Sequence, residues 1–513
     1  MRGRLSLADL HRVPGSCRPA VDPRARRVSV VHLGIGAFHR AHQAFYTEEC
    51  GEAGICGVTQ RSARVVEQLA PQDGLYTLLV RDGAEARPRV MGAVREVLHA
   101  GADPGAVAAR IADPEVSVVS LTVSEKGYRH DPATGLIRTG DPEIAADLAG
   151  RPARTVIGQL VSGLKARFAA GAGPVTVLCC DNLPSNGPTV RGLVMDYLAA
   201  EAAGRAAPGA CPASVAYGME SLWYWMRANV TFPATMVDRI VPAATDADRA
   251  EVASLIGLAD LGAVVAEPFT QWVIEDSFAG PRPSWEKAGA QLVPDVAPYE
   301  KVKLRLLNGA HSALAYLGGL AGHEFIADVL SPDDAFAAFA RSLMLSDAAA
   351  TVVAPDGMEP ERYAESVLRR FRNAALRHRC AQVAMDGSQK LPQRLLGTAS
   401  DRLAAGETPV WAGLAVAAWM RHVWTRRSDT GAAFGVDDPL AGVFSERLAA
   451  AGAGDDSASS AGAVVDALLG IRDVFGSLSE SAEFRELLTG HLERLATDGA
   501  RRTVAALVAE AGS

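Results

Sequence analysis

Residues 26–42 read Arg-Arg-Val-Ser-Val-Val-His-Leu-Gly-Ile-Gly-Ala-Phe-His-Arg-Ala-His. A valine-rich run from Val28 to Leu33 breaks at Gly34 and Gly36 and then turns polar, which predicts a strand, a glycine turn and a helix start. Further apolar runs bounded by turn residues follow at Ile55 to Thr59, Val116 to Val123 and Val175 to Cys180, with helical periodicity between them, as at 153–169. Strand and helix alternating in this way imply a mainly parallel, doubly wound sheet. After about Pro283 the strand-like runs largely stop and long Ala/Leu/Arg segments take over. A chain of 513 residues exceeds the usual size of one hydrophobic core. Two domains are therefore expected: an α/β doubly wound domain over 1–284 and a mainly α-helical domain over 285–513. The stretch AAAGAGDDSASSAGA at 449–463 lacks the apolar content to pack and reads as a mobile surface loop.

Composition is that of an ordinary soluble enzyme, 49% hydrophobic and 21% charged with a formal net charge of −8. This acidic balance, with no long Lys/Arg run, argues against nucleic acid as a partner. The opening MRGRLSLADLHRVPGSCRP has no apolar segment of the length a secretory signal needs. No run of roughly 18 uncharged apolar residues suggests a membrane span, and a cytoplasmic enzyme is the simplest reading. The seven cysteines, Cys17, Cys50, Cys56, Cys179, Cys180, Cys211 and Cys380, are odd in number and scattered. They read as reduced thiols rather than a disulfide framework.

The turn Gly34-Ile35-Gly36 follows a hydrophobic strand, as a dinucleotide site requires. Glycines let the backbone turn tightly and approach a pyrophosphate, and backbone N–H groups at the helix start, from Ala37 and Phe38 onward, meet its charge. His39 stands where the third glycine of a GxGxxG pattern would be. The adenosine ribose is usually held by a carboxylate at the end of the second strand. Here that strand runs out as Val58-Thr59-Gln60-Arg61-Ser62, with no carboxylate. Arg61 could pair elsewhere in the protein or face a 2′-phosphate, which leaves the cofactor open between NAD and NADP.

A second pattern lies in PYEKVKLRLLNGAHSALAYLGG, from Pro298, which has a proline near a helix start and a Gly-Gly stop. At about 100° per residue Glu300, Lys303, Asn308 and His311 share an arc of roughly 140°, with Val302, Leu306 and Ala313 on the opposite side. A solvated amphipathic helix would show the same spacing, but an Asn and a His beside Leu307 and Leu314 suit a partly enclosed face better. Hydride transfer to and from an alcohol needs a base for the hydroxyl proton and donors for the developing alkoxide. A lysine can be that base when its surroundings lower its pKa, and Asn and His can donate without adding a permanent charge. A zinc site would do the same work, yet neither HExxH nor a CxxC pair is present. His32, His39 and His42 are the metal candidates worth naming, and structural hydrogen bonding is the weightier reading of them. No metal is therefore assigned.

Along nearly its whole length the chain resembles the mannitol dehydrogenase family of polyol-specific long-chain dehydrogenases, which includes fructuronate reductase. The resemblance rests on GIGAFHRAHQAFY, SLTVSEKGY, CDNLPSNG, VTFPATMVDRIVPAAT, EPFTQWVIED, KLRLLNGAHSALAYLG and MDGSQKLPQRLL, in that order. It implies a Rossmann-type N-terminal domain, a mainly helical C-terminal domain, a metal-independent site, an NAD(H) preference and a monomer. It also implies roles: Lys303 as the general base, Asn308 and Asn182 as the pair on the substrate oxygen, His311 positioning substrate, and Glu300 assisting proton movement. Asp238 of the MVDR motif matches a residue lining the site. The family's NGSH appears here as Asn308-Gly309-Ala310-His311. Arg377-His378-Arg379 and the segment carrying Lys390 and Arg394 resemble the fructuronate reductase branch, which suits a substrate carboxylate in need of a basic clamp. These residues could instead bond helix C-termini or surface acids. The expected partner is thus a sugar acid, D-mannonate or D-fructuronate. The alternatives are mannitol, arabinitol or altronate as substrate, or a nucleotide-sensing protein that kept the fold and lost the chemistry.

Overall fold

A computed structural model of the chain describes residues 3–51, 53–131, 134–205, 212–330, 335–453 and 458–512. Two compact units emerge, Met1–Val296 and Ala297–Ser513.

The first unit contains strands β1 (Arg27–Leu33), β2 (Ala53–Thr59), β3 (Tyr76–Asp82), β4 (Glu85–Met91), β5 (Val94–His99), β6 (Val118–Leu121), β7 (Val175–Cys179), β8 (Val230–Thr231), β9 (Thr235–Asp238), β10 (Val264–Ala266), β11 (Gln271–Glu275) and β12 (Gln291–Val293). Six of them form one sheet in the order β5-β2-β1-β6-β7-β8, and every pair in it is parallel. From β1 the chain moves first toward β2 and β5, then returns to lay β6, β7 and β8 on the other side. The switch point lies between β1 and β6, where this kind of sheet opens a crevice at its carboxyl ends. β1 is buried at all but its first and third residues and β2 throughout, as expected for strands covered on both faces. The helix expected from 153 to 169 spans Val156–Ala169, and Thr155 caps it by accepting from Gly158 N–H.

Two smaller sheets interrupt the parallel pattern. β3 and β4 form an antiparallel hairpin with β10 alongside β3, and β11 pairs antiparallel with β9 and parallel with β12. A fully buried ion pair, Arg26 to Glu48 at 3.1 Å, ties the start of β1 to helix Gln43–Cys50. Arg26 also donates to the carbonyls of Thr47 and Ala53.

The second unit is helical throughout its named elements. Helices Gly309–Leu320 and Val410–Thr425 are buried along almost their entire length. The long segment Ala482–Gly512, broken by Gly499 at φ 77°, packs along Val410–Thr425. The glycine- and serine-rich stretch at 449–463 is less loop-like than its composition suggests. Ala449 and Ala450 finish helix Ala441–Ala450, Ala458–Ser460 form a 3-10 turn and Ala461 opens helix Ala461–Leu469, while 454–457 lie outside the described residues. Alanines on both sides supply helix propensity, and Val464, Val465 and Leu468 anchor the second helix in the core. None of the six described cysteines pairs, and Cys211 lies outside the described residues. No helix among the described residues is long and apolar enough to cross a membrane.

Candidate active site

In the first unit the glycine turn sits at the switch point. Gly34 has φ +101°, and a Cβ there would lie 2.0 Å from the Thr122 carbonyl oxygen at the end of β6. Only glycine combines that conformation with that approach. Gly36 differs: it caps helix Ala37–Ala41 at φ −81°, and a Cβ would meet only the Gly34 oxygen, at 3.9 Å. The open space there belongs to a cavity of about 380 Å³ lined by Gly34, Gly36, Thr59, Gln60, Arg61, Thr122 and Lys126 among others. A pocket floored by bare backbone at the switch point fits a dinucleotide. The helix that follows is short, because His42, at φ −119° and ψ −91°, separates Ala37–Ala41 from Gln43–Cys50. Phe38 stacks on the His42 ring at 5.1 Å.

The histidines near this turn are all buried. His32 bonds Ser120 Oγ at 2.8 Å and the Gly34 carbonyl at 3.2 Å, and burial pushes its pKa down to about 3. His39 stacks on His32 at 3.4 Å, filling the volume that a third glycine would have left open. His42 bonds the Gln271 carbonyl. Among the described residues no group of three His, Cys, Asp or Glu side chains is placed to hold a metal ion.

Arg61 is largely exposed on the cavity rim, 3.6 Å from the Glu143 carboxylate. Glu143 also accepts from Arg129, which pairs in addition with Asp141. Beyond β7, Asn182 is exposed and Asp238 closes β9, buried. Between β7 and Asn182 stands Asp181, which the sequence reading passed over. Its carboxylate accepts from Val123 N–H at 2.9 Å and from Tyr128 O–H at 2.6 Å. It thereby fastens the loop after β6, which lines the cavity, to the loop carrying Asn182. Burial raises the Asp181 pKa to about 7, against the lowering effect of those two hydrogen bonds.

In the second unit the motif from Glu300 to His311 lies on one continuous helical path of unusual winding. Ala297–Val302 is α-helical, Lys303–Asn308 is a π-helical turn, and Gly309–Leu320 is α-helical again. Residues five apart stand about 140° apart on an α-helix, whereas i→i+5 bonding places them nearly above one another. The π turn therefore draws Lys303 and Asn308 onto one side, with His311 one turn beyond. All three are buried, at 6%, 7% and 8% exposure, and Glu300 is partly so. The stripe read at 100° per residue is thus corrected twice: the winding is not uniform, and both sides of the helix are enclosed. Gly309 makes this packing possible, since a Cβ would lie 2.7 Å from the Arg394 carbonyl oxygen.

Around His311 several basic residues converge. Its ring stacks on Phe371 at 4.7 Å and meets His378 edge-on at 4.8 Å. Burial, followed by the fields of His378, Arg394, Arg370 and Lys390, holds its pKa well below 6.5, and its Nε2 is buried with no hydrogen-bond partner among the described residues. A neutral imidazole with an open nitrogen near three cations can orient a hydroxyl or carbonyl near an anion. Arg394, on the π turn Pro392–Leu396, donates to Ser312 Oγ at 3.0 Å. Lys390 Nζ donates to the Met385 carbonyl at 2.5 Å and the Val383 carbonyl at 3.4 Å, closing off helix Cys380–Ala384. Arg377 and Arg379 are drawn elsewhere: both guanidinium groups lie over the Phe325 ring, and Arg379 pairs with Glu324. Arg370, absent from the sequence reading, is brought to the cluster in their place.

Residues 28–287 match the profile of the mannitol dehydrogenase Rossmann domain and residues 295–496 that of the mannitol dehydrogenase C-terminal domain. The chain belongs to the mannitol dehydrogenase family. D-mannonate oxidoreductase of Escherichia coli K12 is 40% identical over 501 residues, 96% of this chain and 98% of that protein. The uncharacterized oxidoreductase YeiQ of the same organism is 41% identical over 497 residues, 95% of this chain and 96% of that one. Among solved structures, Pseudomonas fluorescens mannitol 2-dehydrogenase, in a ternary complex with NAD and D-mannitol, matches with a TM-score of 0.85 at 33% identity, covering 99% of this chain and 100% of its own. The chain is thus an oxidoreductase of this family, and its relatives divide between a sugar acid and a neutral polyol.

Proposed function

We propose that the chain interconverts D-mannonate and D-fructuronate with NAD(H), using Lys303 as the base, without a metal. The observation that carries the sugar-acid reading is the basic cluster around the buried His311, because buried Arg370 with the half-buried Lys390 and Arg394 suits a carboxylate and exceeds what a hexitol requires. Bound in the cavity of the first unit, NAD(H) would supply the hydride acceptor or donor. Gly34 and Gly36 bring bare backbone to its pyrophosphate, and the rim at Arg61 receives its adenosine ribose. In the second unit, Lys303 Nζ takes the hydroxyl proton while Asn308 and the neutral His311 hold substrate oxygens. Asn182 is proposed as the second amide on the reacting oxygen, Glu300 as the group that passes the proton on, and Asp238 as part of the substrate-facing wall.

Arg394 is the better clamp, because Lys390 already closes a helix end. The test compares kcat/KM for fructuronate and fructose in wild type, Arg394→Ala and Lys390→Ala. Arg394→Ala is expected to lose roughly ten- to a hundred-fold on fructuronate only, the value of a charged hydrogen bond to the carboxylate. Lys390→Ala is expected to depress both substrates. A wild type that prefers fructose outright would assign the chain to mannitol 2-dehydrogenase activity instead, the reading favoured by its likeness to the Pseudomonas enzyme.

A further inference from the structure

Between β7 and the helix Asn186–Arg205 the chain turns through residues 180–185, and the exposed Asn182 stands on that turn. A loop residue that holds a reacting oxygen needs a fixed frame, since a displacement of about 1 Å can cost about a hundred-fold in rate. Asn186, 1% exposed, supplies one. Its Nδ2 donates to the Asp181 carbonyl at 3.0 Å and to the Thr235 carbonyl at 2.8 Å, and its Oδ1 accepts from Thr235 N–H at 2.9 Å. Thr235 opens β9, the edge strand of its sheet, and pairs with Ile274 of β11 on the other flank. One buried amide therefore satisfies both the N–H and the C=O of Thr235, as a further strand would. Its second hydrogen holds the carbonyl of the residue before Asn182. Two neighbours of Asn186 are shaped to the same contact. A Cβ at Gly187 would lie 2.3 Å from the Phe232 carbonyl oxygen, so the helix start sits hard against the turn before β9. Ser185 has φ 45°, a left-handed conformation that a serine keeps only where its surroundings over-determine it.

We infer that Asn186 is a positioning residue for the reaction: it sets the turn carrying Asn182 against β9, so that the Asn182 amide meets the substrate oxygen at a fixed place. The inference rests on the role proposed above for Asn182. Asn186 bonds Asp181 and Thr235 and acts through Asn182 rather than on substrate. Without its amide the Asp181 carbonyl and both backbone groups of Thr235 lose a buried partner. The turn is then free to leave the edge of β9. Neither Asn182 nor Asn186 lines the dinucleotide cavity, so the loss falls on the chemical step and leaves NADH binding in place.

A double-mutant cycle in the full-length chain separates this role from a purely structural one. Single-turnover kinetics are measured on whichever sugar wild type reduces faster, fructuronate or fructose, beside titration with NADH. Asn182→Ala is expected to slow the chemical step by about a hundred- to a thousand-fold, the value of a donor to a developing oxyanion. Asn186→Ala should slow it by about ten- to a hundred-fold with Kd for NADH within about twofold of wild type. The double variant should lie within about threefold of Asn182→Ala alone, because a residue that acts only through Asn182 has nothing left to position. Asn186→Ser leaves a hydroxyl and room for a water to pair the freed groups. It carries the same cycle if the alanine variant does not fold. Losses that multiply in the double variant overturn the inference. So does a rate within about threefold of wild type in Asn186→Ala, or NADH binding that weakens as much as the rate falls. Each of these leaves the role of Asn182 standing. A near-normal rate in Asn182→Ala is the separate failure: it removes that role, and the inference with it.

Discussion

Lys303 stands where the helix changes its winding, and the consequence is local: the π turn sets its side chain on the same side as Asn308, five residues on. Replacing it with alanine is expected to lower kcat about a hundred-fold or more while Kd for NADH stays near wild type, because the dinucleotide cavity is lined by other residues. Single-turnover kinetics beside NADH titration check this, and a near-normal rate removes Lys303 as the base. His311 stays neutral throughout the working range because its pKa is held far below 6.5, so it gives no limb to the pH–rate profile near neutrality. Asp181 is different. Its folded pKa, about 7 against an ordinary 3.8, means that the folded state holds a proton the unfolded chain has released. Its contribution to stability is therefore complete below 3.8 and lost as pH rises through about 7. Asp181→Asn cannot ionise and should flatten the fall in the urea midpoint between about pH 5 and about pH 8. An unchanged slope would show that the carboxylate titrates normally.

At the scale of elements, what was legible in the sequence and what was not divide along a physical line. β1 and its turn could be read because a buried strand and a glycine at φ +101° leave their mark in adjacent residues. The hairpin Tyr76–Met91 carries a signal of its own, Asp82-Gly83 with Gly83 at φ 55°, and escaped because it interrupts the βαβ alternation on which the reading was built. The motif Lys303-x4-Asn308-x2-His311 could be recognised by its pattern, but its geometry could not, since a window read at one angle per residue has no term for a π turn. The enclosure of both helix sides comes from elements far along the chain, as does the arrival of Arg370 and the departure of Arg377 and Arg379. Gly309 is where the winding and the packing meet. Gly309→Ala is expected to separate the two π turns, since its methyl carbon would lie 2.7 Å from the Arg394 carbonyl. A cost of about 1 to 3 kcal/mol follows from overpacking of this kind, together with loss of kcat on every substrate because Asn308 and Arg394 shift together. Urea unfolding and kinetics on two sugars would check it. Wild-type stability with wild-type rates would mean that the contact is slack.

On the scale of the whole molecule, each unit carries one part of the chemistry: every described residue lining the dinucleotide cavity precedes Val296, and the basic cluster lies entirely beyond it. Ligand linkage should reflect this division. A ligand that binds only the folded form, present at a hundredfold excess over its Kd, stabilises by about 2.7 kcal/mol. For a unit of this size that corresponds to a rise of roughly 3 to 6 °C in Tm. NADH should therefore raise the melting transition of the unit ending at Val296, and where calorimetry resolves two transitions only that one should move directly. Gly36→Val supplies the control. A Cβ at Gly36 meets no protein atom closer than 3.9 Å, so the variant should fold and melt near wild type without ligand. Its branched side chain would occupy the space through which the backbone reaches the pyrophosphate, and the same NADH concentration should then produce little or no shift. A Gly36→Val protein that melts like wild type and is still stabilised by NADH to the same extent would place the nucleotide somewhere other than the glycine turn.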